Sequence, residues 1–278
     1  MSAPGAIRIV EGADGARLQI LVFPSRRHPP ATRILLVPGF LSFIESWELV
    51  VRELTACCDV LYFESREKRS SALPPGARFR IEELTADLGS VARALDLAPR
   101  SFDVVASCGG AATVLHAHAE GVLRPRRMVW IAPGLRPRVP WIVVPLARVL
   151  RGPAYGLQQR LAVAWYRHVV DPPSRDGFQR SRFLDVVRRA DPRKTTRAAR
   201  DLYGLRVDPE LARAVTVPVL VLAASQDRAH AFAESVDLAD RLPAGRLIDV
   251  GLFWRTRSPA AGRTLRRFLA DDGCPGAG

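Results

Sequence analysis

Residues 102–115 read FDVVASCGGAATVL, and this stretch decides how the rest of the chain is read. Residues 102–106 form a short, mostly apolar run that suits a buried strand, and residues 109–120 carry a helical pattern. Only Ser107 and Cys108 lie between them. A strand that passes into a helix across so short a turn projects one side chain from its tip. A hydroxyl and a thiol both stand at that tip, so both are candidate nucleophiles.

The same rhythm extends on either side. Strands are expected at 33–37 (RILLV), 59–63 (DVLYF), 127–132 (RMVWIA), 218–223 (PVLVLA) and 246–250, with helices at 45–56, 81–97, about 232–242 and a last helix reaching to about 270. Apolar strands alternating with amphipathic helices imply a parallel sheet covered on both faces. Residues 6–10 and 17–23 flank an Ala-Asp-Gly turn and read as an antiparallel edge hairpin. The rhythm fails between Gly134 and Val215, where prolines and arginines dominate. The expected organisation is therefore an α/β core at 1–133 and 216–272, a helical basic cap at 134–215, and a disordered tail at 273–278.

Composition narrows the function classes. The chain has 278 residues, 48% of them hydrophobic, enough for a sizeable core and against wholesale disorder. The N-terminus has no basic region followed by an apolar run. The most apolar segment, 139–147, contains two prolines and is far shorter than the roughly 20 residues a membrane span needs. A soluble cytoplasmic protein is expected. Cys57, Cys58, Cys108 and Cys274 show no zinc-site spacing; adjacent Cys57 and Cys58 read as small buried residues, and no metal or cofactor is expected. The net charge is +13, yet residues 134–215 hold 17 basic and 7 acidic side chains, so +10 of it falls in one segment. Such a surface suits an acidic partner or an anionic membrane surface. Nucleic acid is not expected, because no aromatic-interleaved basic motif is present.

Four segments together resemble the α/β-hydrolase superfamily across nearly the whole chain apart from the insertion. LLVPGFLSFIESW (35–47) is similar to the strand and oxyanion loop, with Pro38-Gly39-Phe40 at its turn. FESREKRSS (63–71) is similar to the acidic-x-Arg loop, FDVVASCGGA to the nucleophile elbow, and PVLVLAASQD (218–227) to the strand that delivers the triad acid. The resemblance implies a doubly wound α/β fold with a cap inserted before the acid-bearing strand.

It also orders the elbow. The turn needs small residues two before and two after the nucleophile, because backbones approach closely there. Cys108 has Ala106 and Gly110 at those places, whereas Ser107 would have branched Val105. Cys108 is therefore the expected nucleophile, with Asp227 as the acid and the backbone N–H groups of Phe40 and Gly109 as the oxyanion hole. The resemblance places a histidine just after the last strand, but residues 251–258 (GLFWRTRS) contain none; Trp254 or Arg255 stands about there. Among His28, His116, His118, His168 and His230, only His230, three residues after Asp227, lies at the right edge of the sheet. Arg255 is the candidate cation for a Cys108 thiolate, and Glu64 a candidate base or the partner of an arginine.

A thiol tolerates a poor base better than a hydroxyl does. The expected activity is acyl transfer on an ester or thioester, as an esterase, thioesterase or acyltransferase. The alternative is a non-catalytic binding protein that keeps the pocket. Trp141, Tyr155, Trp165, Tyr166, Phe178 and Phe183 of the cap suit an apolar acyl group, and the basic surface suits a carrier such as coenzyme A or an acidic carrier protein.

Overall fold

A computed structural model describes residues 4–40, 42–136, 160, 161, 164, 190–227 and 230–270. These residues form an eight-stranded sheet in the order β1-β2-β4-β3-β5-β6-β7-β8. The strands are β1 (Ala6–Glu11), β2 (Arg17–Phe23), β3 (Thr32–Val37), β4 (Cys58–Glu64), β5 (Phe102–Ser107), β6 (Met128–Ile131), β7 (Val219–Ala223) and β8 (Gly245–Asp249). β1 and β2 form the expected hairpin at one edge, and β2 runs antiparallel to β4. All remaining neighbours are parallel.

Strand alternation sorts the core. Leu35, Val37, Val104, Ala106, Val219 and Val221 face one side of the sheet, and Ile34, Leu36, Val105, Leu220 and Leu222 the other. The first face is covered by α2 (Ile81–Ala94), α3 (Gly109–Ala119) and α5 (Phe232–Arg241), through Leu88, Val114 and Leu238 among others. The second is covered by α1 (Glu48–Leu54) and α6 (Pro259–Leu269), through Val50, Leu54 and Leu265. With both faces occupied, the central strands read as continuous apolar runs, which is why they were legible.

Two helices are shorter than the pattern predicts. The expected 45–56 helix starts as a 3-10 turn at Ile44–Ser46, and α1 proper begins at Glu48. There the Ser46 hydroxyl donates to the Phe43 carbonyl (2.8 Å), a local bond that competes with the α pattern. The 81–97 helix stops at Ala94. Asp96 takes a left-handed φ of 50°, and the N–H groups of Leu97 and Asp96 close on the carbonyls of Ala92 and Arg93.

The insertion between β6 and β7 falls mostly outside the described residues, and so do His168, the six cap aromatics and the tail at 273–278. Its described end contains α4 (Pro192–Tyr203), capped by Asp191, whose carboxylate accepts from the N–H groups of Arg193 and Lys194 at 2.9 and 3.1 Å. After it, Leu205, Val207, Ala212 and Val215 pack into the core of the first face. No helix among the described residues is long and apolar enough to cross a membrane.

The strand order reverses between β3 and β5, which lie side by side with Val37 opposite Ala106. Their carboxyl ends therefore open on a crevice at a switch point, where open α/β sheets bind ligands. One end carries Pro38-Gly39-Phe40 and the other Ser107-Cys108.

Candidate functional site

The turn after β5 is held in a strained shape. Cys108 adopts φ 49° and ψ −128°, outside the regions a non-glycine residue prefers, at a cost of order 1–3 kcal/mol. Its N–H donates to the Ile131 carbonyl (3.1 Å), and its own carbonyl accepts from Ala111 and Gly134 at 3.0 and 3.2 Å. α3 begins at the next residue. The glycines around this turn are dictated by contact. A Cβ on Gly110 would lie 2.6 Å from the Val37 carbonyl oxygen and 2.7 Å from that of Pro38. A Cβ on Gly39 would lie 2.7 Å from the Cys108 Cβ.

Ser107 and Cys108 have different surroundings. Ser107 ends β5 and is buried, and its Oγ accepts the Gly39 N–H at 3.0 Å. It is thus bonded to the turn that carries Phe40, a connection that spacing alone does not reveal. Cys108 is half-buried at the turn, with its sulfur in contact with the His230 imidazole.

His230 and Asp227 reach that place from the loop after β7. The Asp227 carboxylate accepts the His230 backbone N–H at 3.2 Å and lies 2.8 Å from Nδ1 of the ring. Asp227 is 2% exposed and His230 16% exposed, so neither charge is strongly screened. The ring and the Cys108 thiol lie close enough to shift each other, the imidazolium lowering the thiol and the thiolate raising the imidazole. Gly134, just after β6, lies against both groups: a Cβ there would be 3.7 Å from the sulfur and 3.7 Å from the ring's Cδ2. With Nδ1 turned to Asp227, the ring's other nitrogen remains for the sulfur.

The charges of the pair reinforce each other. Burial raises the Cys108 thiol, but the His230 charge, its hydrogen bond and the Gly109 N–H outweigh burial and the opposing Asp227, and hold the thiol below the ordinary cysteine value. Burial likewise disfavours the imidazolium. Cys108 and Asp227 overcome it and push His230 up to about 10. Over the interval between the two, the stable form is a thiolate beside an imidazolium.

The stretch after β8 does not supply a cation to this place. Arg255 is exposed, with its guanidinium 5.6 Å from the centroid of the Trp254 ring, and His230 is the cation against the sulfur. The contact from that stretch comes from Phe253, whose ring stacks on His230 with centroids 5.6 Å apart and 26° between planes. Neither Trp254 nor Arg255 does this, because the 3-10 turn at Phe253–Arg257 rotates them elsewhere.

Other candidates are engaged away from the thiol. Glu64 accepts from the Ser70 hydroxyl, and burial raises its carboxyl. The arginine of its loop, Arg66, pairs instead with buried Asp87 (2.6 Å) and with Asp14 (2.9 Å). His116 bonds Thr85, and His118 bonds the Leu123 carbonyl. The reading of Cys57 and Cys58 as two plain buried residues holds only for Cys58, a free thiol in the core; Cys57, whose sulfur lies 3.7 Å away, is disulfide-bonded. Among the described residues, no group of three or more His, Cys, Asp or Glu side chains could hold a metal ion.

Eight strands in this order, an elbow after β5 and an acid after β7 define the architecture. The chain has the α/β-hydrolase fold. An enol-lactonase from Burkholderia xenovorans superposes with a TM-score of 0.80 at 21% identity, over 95% of this chain and 100% of that one. A thermophilic esterase from Thermogutta terrifontis gives 0.76 at 16% identity, over 95% and 98%. An esterase from Rhodococcus sp. gives 0.76 at 18% identity, over 95% and 99%. No family model and no curated protein matches the sequence.

Proposed function

We propose that the protein is a thiol-dependent enzyme of acyl transfer on esters or thioesters, with Cys108 as nucleophile, His230 as acid and base, and Asp227 as the group that orients His230. The observation that carries this reading is the contact series Cys108, His230, Asp227 at the switch point of the sheet. Similar folds that bear the names esterase and enol-lactonase support an ester-acting hydrolase. The non-catalytic reading rested on the missing base, and His230 weakens it.

The steps follow from the ion pair. The thiolate attacks the acyl carbon, forming an S–C bond, and the carbonyl electron pair moves to oxygen. That oxyanion lies where the N–H of Gly109, at the start of α3, and the N–H of Phe40, on the turn after β3, can stabilise it. Collapse breaks the bond to the leaving group, which takes the imidazolium proton as it departs as an alcohol or thiol. His230 is then neutral. It removes a proton from water or from an acceptor hydroxyl or thiol, whose oxygen or sulfur attacks the acyl-enzyme. Collapse of the second intermediate returns the thiolate and the imidazolium. Asp227, hydrogen-bonded at Nδ1, fixes the ring orientation and stabilises the imidazolium without itself taking the proton.

The test is turnover of a panel of activated esters and thioesters by wild type, Cys108→Ala and His230→Ala. Burst release by wild type, none by Cys108→Ala and a large loss in His230→Ala are the expected results. Equal turnover by wild type and Cys108→Ala would refute the assignment.

A further inference from the structure

A second concave feature lies on the same side of the sheet. Between the loop that follows β4 and helix α4 is a cleft of about 270 Å³ lined by four arginines, Arg78, Arg80, Arg197 and Arg200, and one carboxylate, Asp201. Asp201 is already engaged: it accepts the Phe79 N–H at 3.1 Å and lies 3.6 Å from Nε of Arg200. Arg197 donates to the Ala77 carbonyl at 2.6 Å, which fixes one wall against the other. Arg78 and Arg80 are exposed, and neither has an ion-pair partner among the described residues. Four guanidinium groups around one carboxylate leave an excess of positive charge facing into the cleft, and the planar fork of arginine matches phosphate oxygens two at a time.

The cleft is tied to the candidate site by a series of contacts. The first turn of α4 is docked by the Lys194 ammonium, which donates to the carbonyls of Lys68 and Ser71. The Lys68 ammonium in turn lies over the Phe43 ring, 4.6 Å from its centroid, on the segment that follows β3 and carries Phe40. Arg197 and Arg200 lie three and six residues beyond Lys194, about 5 and 9 Å further along the helix. The cleft therefore belongs to the carboxyl side of the sheet, as Cys108 does. It has no aromatic side chain in its lining on which a base could stack, which suits a phosphoryl group and not a nucleic-acid strand.

We propose that this cleft binds the phosphate groups of the acyl donor's carrier, so that the substrate is a thioester of a phosphate-bearing thiol. This rests on the reading of Cys108 as the residue that is acylated. The same chemistry is offered by the diphosphate of a nucleotide-bearing thiol and by the phosphodiester of a pantetheine arm on a carrier protein.

Inorganic pyrophosphate, titrated calorimetrically into the full chain at low salt, tests the cleft without reference to catalysis. Wild type should bind it, binding should weaken with added salt, and the double variant Arg78→Ser, Arg80→Ser should lose at least about tenfold in affinity, since each charge-assisted hydrogen bond is worth about a factor of ten or more. Circular dichroism of the variant checks its folding, and Arg200→Ser provides an independent variant on the opposite wall. Absence of pyrophosphate binding, or equal binding by wild type and both variants, overturns the proposal. The second arm compares one acyl group on coenzyme A, on a pantetheinylated carrier protein and on N-acetylcysteamine, which carries no phosphate. The double variant should raise KM about tenfold for a phosphate-bearing thioester, leave kcat unchanged, and leave N-acetylcysteamine thioester kinetics unaltered. An effect confined to coenzyme A assigns the nucleotide phosphates, and one confined to the carrier protein assigns the pantetheine arm. An equal KM change for all three overturns the substrate assignment. Pyrophosphate binding without turnover of any thioester would leave the cleft standing and sink the catalytic reading alone.

Discussion

Replacing His230 by alanine should move the Cys108 thiol across the ordinary cysteine value. In the wild type, the imidazolium charge and the hydrogen bond from the ring lower the thiol against burial, with help from the Gly109 N–H. Without the ring, burial and Asp227 remain on one side and a single N–H on the other, so the thiol should titrate above about 8.5, the value of a free cysteine. A thiol at that value is about 3% ionised at pH 7, and each further unit removes about tenfold of the remaining thiolate. Part of that loss returns, because thiolate nucleophilicity rises with pKa with a Brønsted slope of about 0.4–0.5, so the rate should fall about threefold per unit. The assay is the rate of alkylation by iodoacetamide from pH 5 to 10, followed by intact mass. Wild type should show its inflection below that of the variant. The same inflection in both proteins, or a lower one in the variant, would refute the ion pair. The same pair sets the activity profile. Acylation needs the thiolate and the imidazolium together, so kcat/KM should fall as pH drops through the depressed thiol pKa and again as pH rises through about 10.

Other perturbations follow from the packing. Gly110→Ala puts a Cβ 2.6–2.7 Å from two backbone oxygens that cannot rotate away, so it should cost about 1–3 kcal/mol. Thermal unfolding should show a melting point lowered by about 2–4 °C per kcal/mol. Ser107→Ala leaves the buried Gly39 N–H without its acceptor, a loss of about 1–3 kcal/mol. It should lower kcat by loosening the turn that carries Phe40 while leaving the Cys108 alkylation inflection in place; a shifted inflection would contradict this division. Asp87→Ala leaves the Arg66 guanidinium buried with Asp14 as its remaining carboxylate, and urea unfolding should show a loss of about 3–5 kcal/mol.

The sheet was legible because its central strands are buried on both faces and therefore uniformly apolar, and because the elbow imposes steric demands that letters can satisfy or fail. Gly110 and Ala106 meet those demands around Cys108, and Val105 fails them for Ser107. The contact between His230 and Cys108 was legible only as a position on the right edge. A three-residue separation from Asp227 does not say that the loop folds back to direct both side chains toward one sulfur. The stack of Phe253 on His230 and the bond from Gly39 to Ser107 join residues far apart in sequence, and no local pattern encodes them. Arg255 was a reasonable candidate by position along the chain, but the 3-10 turn that follows β8 directs it outward. The candidate groups run in the chain order nucleophile, acid, base, with the candidate base in the loop after β7, three residues from Asp227, and none in residues 251–258.

The role of Cys108 as nucleophile is tested most directly by the site of acylation. Wild type, Cys108→Ala and Ser107→Ala are each mixed with an activated acyl ester, quenched in acid within the burst, and mapped by peptide mass. One acyl group is expected on Cys108 in wild type and in Ser107→Ala, and none in Cys108→Ala. An acyl group on Ser107, or an adduct that persists in Cys108→Ala, would contradict it.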